Sequence, residues 1–287
     1  MQIQMVYCFD TSAINELQDD PDREAIIARL LNTSTVRITA INVMEVCKNS
    51  NLERLRLLMT LVNRLSVGTL PLEAPNALLV QLAKTHQAGI HDVTVTIGEE
   101  RHGLWDVMQN PSSLDETRRQ EVFRWTGDVE TGFHRMHADA RPALEAMHTG
   151  DSWPRSGAEV IRTHTSISDR LFYETITLGY KSATGCDLNK NDICGFLDTN
   201  PSWAVWWAAW VHSIWRRAMQ STRYGKKWNP GGVDIWSVVY LPLCDAFVTH
   251  DVNQRRAFRI ANTFNNPLTK SRIVSYGTFR ERFVTAA

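Results

Sequence analysis

The chain is poor in cysteine, and its cysteines form no recognisable framework. Five are present among 287 residues, an odd number that cannot pair into a complete set of disulfides. None of them shows the close spacing typical of zinc ligands, and they are Cys8, Cys47, Cys186, Cys194 and Cys244. This pattern argues against a disulfide-stabilised scaffold and against a cysteine-based zinc fold.

Long apolar runs are also missing. The most hydrophobic stretch, residues 203–215, is shorter than the roughly 20 apolar residues that a membrane-spanning helix needs. The N-terminus runs directly into an apolar strand pattern and does not resemble a signal peptide. We therefore expect a cytoplasmic protein without a membrane partner.

Net charge is absent, but the charges are unevenly distributed. Lys and Arg number 31, and so do Asp and Glu. Residues 216–287 hold twelve basic and four acidic residues, a net charge of +8, whereas residues 61–215 hold thirteen and nineteen, a net charge of −6. The C-terminal region therefore favours a phosphate-bearing partner such as a nucleic acid.

The hydrophobic pattern predicts an α/β fold interrupted by helices. Strand and helix patterns alternate near both termini, with strands at 5–9, 36–40, 246–251 and 272–276, and a candidate third strand at 67–72. The middle has helical patterns instead, at 114–125, 129–148, 158–180 and 203–220. We expect an α/β/α sandwich with a central parallel sheet, built from residues 1–74 and 230–287, and a mainly α-helical insertion at 75–229.

Four acidic residues occupy the ends of these predicted elements. Asp10 and Asp251 each follow a short apolar strand pattern, while Glu45 and Asp234 lie at or near the start of helical patterns. In an open parallel sheet such positions converge at the carboxyl ends of the strands, where ligands bind. We expect the four side chains to share one site.

A divalent cation would resolve the repulsion between four such carboxylates. Without a cation, some of them would have to stay protonated. Mg²⁺ and Mn²⁺ prefer carboxylate oxygen and retain water for chemistry on phosphate. The sequence contains no P-loop and no Ser-His-Asp arrangement to suggest other chemistry. We therefore predict that Asp10, Glu45, Asp234 and Asp251 are catalytic residues and ligands of Mg²⁺ or Mn²⁺.

The four acids in this order resemble the PIN-domain nuclease family. That family has a strand-end Asp followed by small hydroxyl residues, here Thr11 and Ser12, and then a Glu, an Asp and a second strand-end Asp. The closing block, residues 234–251, is especially similar. The resemblance covers residues 1–70 and 230–287 and leaves the middle of the chain unassigned.

The resemblance implies a metal-dependent endoribonuclease that hydrolyses RNA, with tRNA or mRNA as its substrate. Many similar nucleases are toxins held inactive by an antitoxin, or effectors of phage defence. An inhibitory or activating protein partner is therefore expected, and the resemblance is compatible with a homo-oligomer. The length of the chain favours a regulated effector over a small toxin.

Basic residues near the predicted site are candidates for binding RNA. A segment rich in cations, aromatics and glycine precedes Asp234, and a second basic group follows Asp251. A run of charge is often no more than a solvated surface, but its position beside a predicted metal site favours contact with the phosphate backbone. The substrate-binding candidates are Arg223, Lys226, Lys227, Arg255 and Arg256, with Arg259 as a further one.

Hydroxyl groups beside the acids are expected to support them. Thr11, Ser12 and Thr249 each lie within two residues of a proposed ligand and could orient it by hydrogen bonds. Asp245 precedes its strand and is expected at the opposite end of the sheet. His250 alternates in direction with its neighbours and is expected at the surface.

Each acid also has a purely structural interpretation. Asp10, Asp234 and Asp251 could be turn or helix-capping residues, and Glu45 could pair with Lys48 on a helix surface. The spacing and order of the four acids favour a joint site over four separate caps.

Other groupings are weaker. His86, His91 and Asp92, or His134 and His137, could form part of a metal site but lack further ligands. Four tryptophans share one face of a helical pattern and are interpreted as core, with a partner interface or a base-stacking surface as alternatives: Trp203, Trp206, Trp207 and Trp210.

Three rival functions follow from the same residues. A phosphatase of the haloacid-dehalogenase type needs a second acid two residues after the first, and Ser12 occupies that place. A catalytically inactive PIN-like scaffold that binds RNA or protein remains an alternative, although all four acids are retained. A flap-endonuclease-like DNase is the third, and it would normally carry additional acids.

Overall fold

A four-stranded parallel sheet forms the centre of the protein. The computed structural model describes residues 4–90, 94–98, 102–147, 154, 156–165, 169–219, 232–264 and 271–284. The strands are β1 (Met5–Phe9), β2 (Ser34–Arg37), β3 (Ala246–Thr249) and β4 (Arg272–Ser275), in the order β2-β1-β3-β4. The predicted α/β class is confirmed.

Helices flank the sheet and fill the insertion. Before residue 75 they are α1 (Thr11–Asp19), α2 (Arg23–Thr33), α3 (Ala40–Cys47) and α4 (Leu52–Ser66). The insertion contains α5 (Pro75–Gln87), α6 (His102–Gln109), α7 (Glu116–Met147), α8 (Gly157–Thr163), α9 (Arg170–Thr184), α10 (Ile193–Thr199) and α11 (Pro201–Met219). The C-terminal part contains α12 (Gly232–Trp236), α13 (Val252–Ala261) and α14 (Tyr276–Val284). Short 3-10 helices cover Pro111–Ser113, Ser237–Leu243 and Asn262–Phe264.

Both faces of the sheet are buried, which explains why its central strands are apolar without alternation. Tyr7 and Phe9 point into a core shared with α1 to α4 and α14. Cys8 and Phe247 point to the other face, into a core that contains α11 and α13. The helical insertion therefore shares a hydrophobic core with the sheet through α11.

The tryptophan-rich helix is core, as expected. Trp203, Trp206, Trp207 and Trp210 are all less than a tenth exposed. Trp206 stacks against Trp210 and also against Trp236 of α12, with ring centroids 6.3 and 5.6 Å apart. These aromatic contacts connect α11 to the short helix that carries Asp234.

The predicted strand at 67–72 is wrong for most of its length. Val67 ends α4 in a left-handed conformation with φ at 49°, and Pro71 has no N–H to donate to a strand ladder. Within the described residues, the stretch contributes an isolated bridge in which Leu72 donates to Ile38 and accepts from Ala40.

Three helix boundaries in the insertion also differ from the prediction. The helices predicted at 114–125 and 129–148 form one helix, α7, because the apolar side chains of Val122, Trp125, Val129 and Phe133 continue on one face across Gly127. The predicted helix at 158–180 is divided, since Asp169 caps a new helix by accepting from the Phe172 N–H. The polar stretch before α11 contains α10.

Crossing a bilayer would take a longer or more apolar helix than any in the described ranges of this chain.

Candidate functional site

The four predicted acids line one pocket at the carboxyl ends of β1 and β3. Its volume is about 350 Å³. The lining residues are Asp10, Thr11, Ser12, Asn15, Glu45, Lys48, Asp234 and Asp251. Residues from four separate parts of the sequence therefore meet where the fold class predicts a ligand site. Two further pockets, of about 310 and 220 Å³, have mainly apolar walls.

Asp10 is held in place by a dense set of donors. Its backbone N–H donates to Val248 at 2.8 Å, which fixes the end of β1 against β3. Its Oδ2 accepts from both the hydroxyl and the N–H of Ser12, at 2.5 and 3.1 Å. Its Oδ1 accepts from the amide of Gln254 at 3.3 Å. Asp10 is thus the N-cap of α1 and also a member of the pocket.

Thr249 and Gln254 form the buried floor behind Asp10. The Thr249 hydroxyl lies 2.6 Å from Oε1 of Gln254 and 3.4 Å from Oδ2 of Asp10. It also accepts from the N–H of Asp251 at 3.0 Å. Both side chains are fully buried. This network links the ends of β1 and β3 with the start of α13.

Asp251 is both a helix cap and a pocket residue, although the sequence analysis treated these roles as alternatives. Its Oδ1 accepts from the N–H groups of Asn253 and Gln254, at 2.6 and 2.8 Å, so it is the N-cap of α13. The same residue lines the pocket. Because both capping bonds end on one oxygen, capping and pocket lining are compatible.

Glu45 reaches the pocket from the second turn of α3. The capping box of Thr39 and Asn42 starts this helix, and the Asn42 amide also donates to the carbonyl of Phe9 and to the Thr11 hydroxyl, at 3.0 and 3.3 Å. These bonds fix α3 to the end of β1. One turn later, Glu45 therefore lies beside the residues that follow the strand.

The electrostatics of the pocket are concentrated on Glu45. Burial, and after it the charge of Asp10, raise the pKa of Glu45 from 4.5 to about 7. A hydrogen bond from Thr11 and the charge of Lys48 lower that pKa, while Glu130 raises it. Near neutral pH this carboxyl is thus divided between its protonated and ionised forms.

Asp234 enters the pocket from α12 and is half-buried. It is the third residue of a five-residue helix that follows a segment, 220–231, outside the described residues. The short helix continues into the 3-10 helix Ser237–Leu243, whose residues are largely buried. The position of Asp234 therefore depends on how α12 is anchored.

The donor set fits a hard divalent cation, although the side chains are not drawn together around one. Four carboxylates offer oxygen ligands of the kind that Mg²⁺ and Mn²⁺ prefer. In the described part of the chain, no three His, Cys, Asp or Glu side chains are close enough to form a ready metal-binding group. Coordination would require the acids of this pocket to approach one another.

Three residues of this site were not predicted to have a functional role. Asn15 and Lys48 line the pocket, and the side-chain amide of Gln254 donates a hydrogen bond to Asp10. Helical spacing could have identified Asn15, which lies four residues after Thr11 and donates to its carbonyl at 2.9 Å. Gln254 contacts Asp10 across 244 residues, so no local sequence signal indicates that contact.

The candidate substrate-binding residues divide into two groups. Arg223, Lys226 and Lys227 lie outside the described residues. Arg255 and Arg256 lie in the first turns of α13, directly after Asp251, and Arg256 is exposed whereas Arg255 is half-buried.

None of the remaining candidates that the structure describes has been found to line the pocket. Asp245 accepts from the N–H of Val6 at 2.8 Å, at the opposite end of the sheet as expected. His250 is exposed. His137 uses both ring nitrogens inside the protein, toward Phe133 and Ser213, and is therefore not available to a zinc ion together with His134. His86 contacts the hydroxyl of Tyr180, and His91 and Asp92 lie outside the described residues.

Comparisons of the chain with protein-family models, with curated proteins and with solved structures found no match. Any assignment of function therefore starts from the pocket itself.

Proposed function

We propose that this protein is a divalent-metal-dependent endoribonuclease of the PIN type, which hydrolyses phosphodiester bonds in RNA. The main support is the convergence of Asp10, Glu45, Asp234 and Asp251 on one pocket at the carboxyl edge of a parallel sheet. These residues come from four different elements and are separated by up to 241 positions. The fold alone brings helix N-caps such as Asp10 and Asp251 to this edge, but Glu45 lies in the second turn of α3 and is no cap, so its presence in the pocket favours a joint role.

The four carboxylates would hold one or two Mg²⁺ or Mn²⁺ ions. When bound, such ions supply a water of lowered pKa and a counter-charge for the reacting phosphate, so no side-chain nucleophile is needed. The Asp10 carboxylate keeps its orientation because Ser12 and Gln254 hold both of its oxygens. Holding a ligand rigidly in this way reduces the reorganisation that binding requires.

Two further side chains of the pocket have suitable chemistry. Glu45 has a pKa of about 7 in the metal-free protein, so a cation that binds near neutral pH would displace the proton from the protonated fraction of this carboxyl. Lys48 lines the pocket, and its ammonium group would contact a phosphate oxygen bound there. The exposed Arg256 and the basic segment at 223–227 would extend this contact along the RNA backbone.

The direct test incubates purified protein with labelled tRNA, mRNA and single-stranded DNA, with Mn²⁺ and with excess chelator. We expect cleavage of RNA that requires Mn²⁺ and that is lost in Asp10→Asn. Asp139→Asn, a change of an exposed acid on α7, is the matched control and should cleave like the wild type.

The alternatives give different results in the same experiment. Cleavage of DNA but not RNA would identify a DNase. Binding of RNA without cleavage of any substrate would identify an inactive scaffold. Cleavage that persists in chelator or in Asp10→Asn would contradict the metal mechanism.

A further inference from the structure

One carboxylate of the insertion is bonded to the start of the helix that carries Asp234. Oε2 of Glu130 accepts from the N–H of Gly232, and Oε1 accepts from the N–H of Val233, both at 3.0 Å. Glu130 lies in α7, about 100 residues earlier in the chain. Both oxygens of one side chain are therefore used to hold the first two residues of α12.

The backbone of α12 also lies directly against α7. A Cβ atom added at Gly232 would lie 2.8 Å from Cβ of Phe133 and 3.2 Å from Oε2 of Glu130. A Cβ atom essentially never lies within 3 Å of another carbon atom, so a side chain at position 232 would push α12 away from Phe133. Phe133 lies almost one turn after Glu130 and is buried, so it offers a rigid surface.

Such a short helix needs an external anchor. Five residues are too few for an isolated helix to be stable. The first N–H groups of any helix have no partner within it, and a carboxylate that accepts from two of them is favoured by charge and by the helix dipole. Asp234 follows immediately after the two bonded residues. Movement of the Glu130 carboxylate would therefore move the Asp234 backbone.

We propose that Glu130 is a positioning residue through which the helical insertion sets the place of Asp234 in the carboxylate pocket. The inference rests on the proposed metal-dependent function and deepens it, since it makes the insertion part of the site. Glu130 would not bind the metal, and its effect on metal affinity would act through α12. The charge of Glu130 is also felt at Glu45, which agrees with its nearness to the pocket.

The test compares Glu130→Gln and Glu130→Ala with a control on the same helix. Glu121→Gln removes an exposed carboxylate nine residues earlier, which places it on the opposite face of α7. Mn²⁺ affinity is measured by calorimetry, and the protection of residues 232–236 by hydrogen–deuterium exchange. We expect Glu130→Ala to weaken Mn²⁺ binding by about 10-fold, the lower end for lost supporting contacts, and to speed exchange at 232–236. Glu130→Gln should have a smaller effect on both, because it keeps one accepting oxygen.

Each other outcome overturns the inference in a recognisable way. Faster exchange with unchanged Mn²⁺ affinity would make Glu130 a structural cap with no influence on the site. Unchanged exchange in both variants would show that the two bonds do not hold α12. Loss of Mn²⁺ binding in Glu121→Gln as well would mean that the effect is general to α7. A wild type that binds no Mn²⁺ would instead remove the proposed function.

Discussion

The carboxylate pocket and the tryptophan-rich helix are opposite in their energetics, although both are built at the same sheet. The pocket brings together four acids, and burial together with the charge of Asp10 raises the pKa of Glu45, so the ionised form of Glu45 is disfavoured there. Helix α11 instead buries four tryptophans in a continuous core with few charges. The comparison teaches that apolar packing such as that of α11 stabilises the fold, while the edge of the sheet retains Glu45, whose ionised form reduces stability in the metal-free protein.

The largest expected effect comes from removing a fully buried tryptophan of α11. Trp207 is fully buried, and its indole N–H donates to the carbonyl of His164 at 2.6 Å. Trp207→Ala should lower the free energy of unfolding by about 3–5 kcal/mol, because the lost packing leaves a cavity. The control Leu178→Ala changes a residue that is 66% exposed and should shift stability by less than about 0.5 kcal/mol. Chemical denaturation measures both, and equal effects would contradict the assignment of α11 as core.

A smaller effect of opposite sign is expected at Glu45. Its pKa is raised in the folded protein, so folding favours the protonated form, and stability falls as pH rises from about 4.5 to about 7. Above that range the loss is complete, at up to about 3 kcal/mol. Glu45→Gln should remove this pH dependence in metal-free protein and stabilise it above pH 7. Urea unfolding at pH 5 and pH 8 measures the difference.

Titration of Glu45 also determines how Mn²⁺ affinity changes with pH. Mn²⁺ requires ionised Glu45, so affinity in the wild type should rise with pH through about 7. The exposed-residue variant Glu121→Gln should keep the wild-type pH profile in both experiments. A profile that is flat in the wild type would show that Glu45 does not titrate in this range.

The smallest effect concerns the basic segment at 223–227. In the sequence this segment lies between the tryptophan-rich helix and α12. Lys226→Ala with Lys227→Ala should weaken binding to all RNA sequences alike. It should also reduce the salt dependence of affinity by up to about 1.4 in log–log slope, equivalent to two phosphate contacts on a single strand. Cleavage at saturating RNA should stay close to wild type. An unchanged salt slope would move the RNA surface to Arg255 and Arg256 of α13.

The parts of the molecule that the sequence predicts well are those with local signals. An apolar run that ends in Asp10 or Asp251 indicates a buried strand with an acid at its tip, and both acids lie there in the structure. The spacing of the tryptophans likewise indicates their common burial.

The convergence of the four acids was predicted because the fold class places strand ends and helix starts together, but the side chains that support them from distant segments could not be predicted. Gln254 supports Asp10 across 244 residues, and Glu130 bonds to Gly232 across 102. Gln254 is a single polar residue in a basic helix, and Glu130 is one acid among many on α7. No sequence pattern around either residue indicates its partner. Val67 shows a different limit, because an apolar residue next to Gly68 ends a helix in a left-handed conformation instead of starting a strand.

The central claim is that Asp10, Glu45, Asp234 and Asp251 together hold a divalent cation, and anomalous diffraction tests it most directly. Crystals grown or soaked with Mn²⁺ would be measured near the manganese absorption edge, with Asp234→Asn crystals as the comparison. The account predicts one or two anomalous peaks surrounded by these four carboxylates, and weaker or absent peaks in the variant. Manganese bound elsewhere, or a pocket that stays empty of manganese at saturating Mn²⁺, would contradict it.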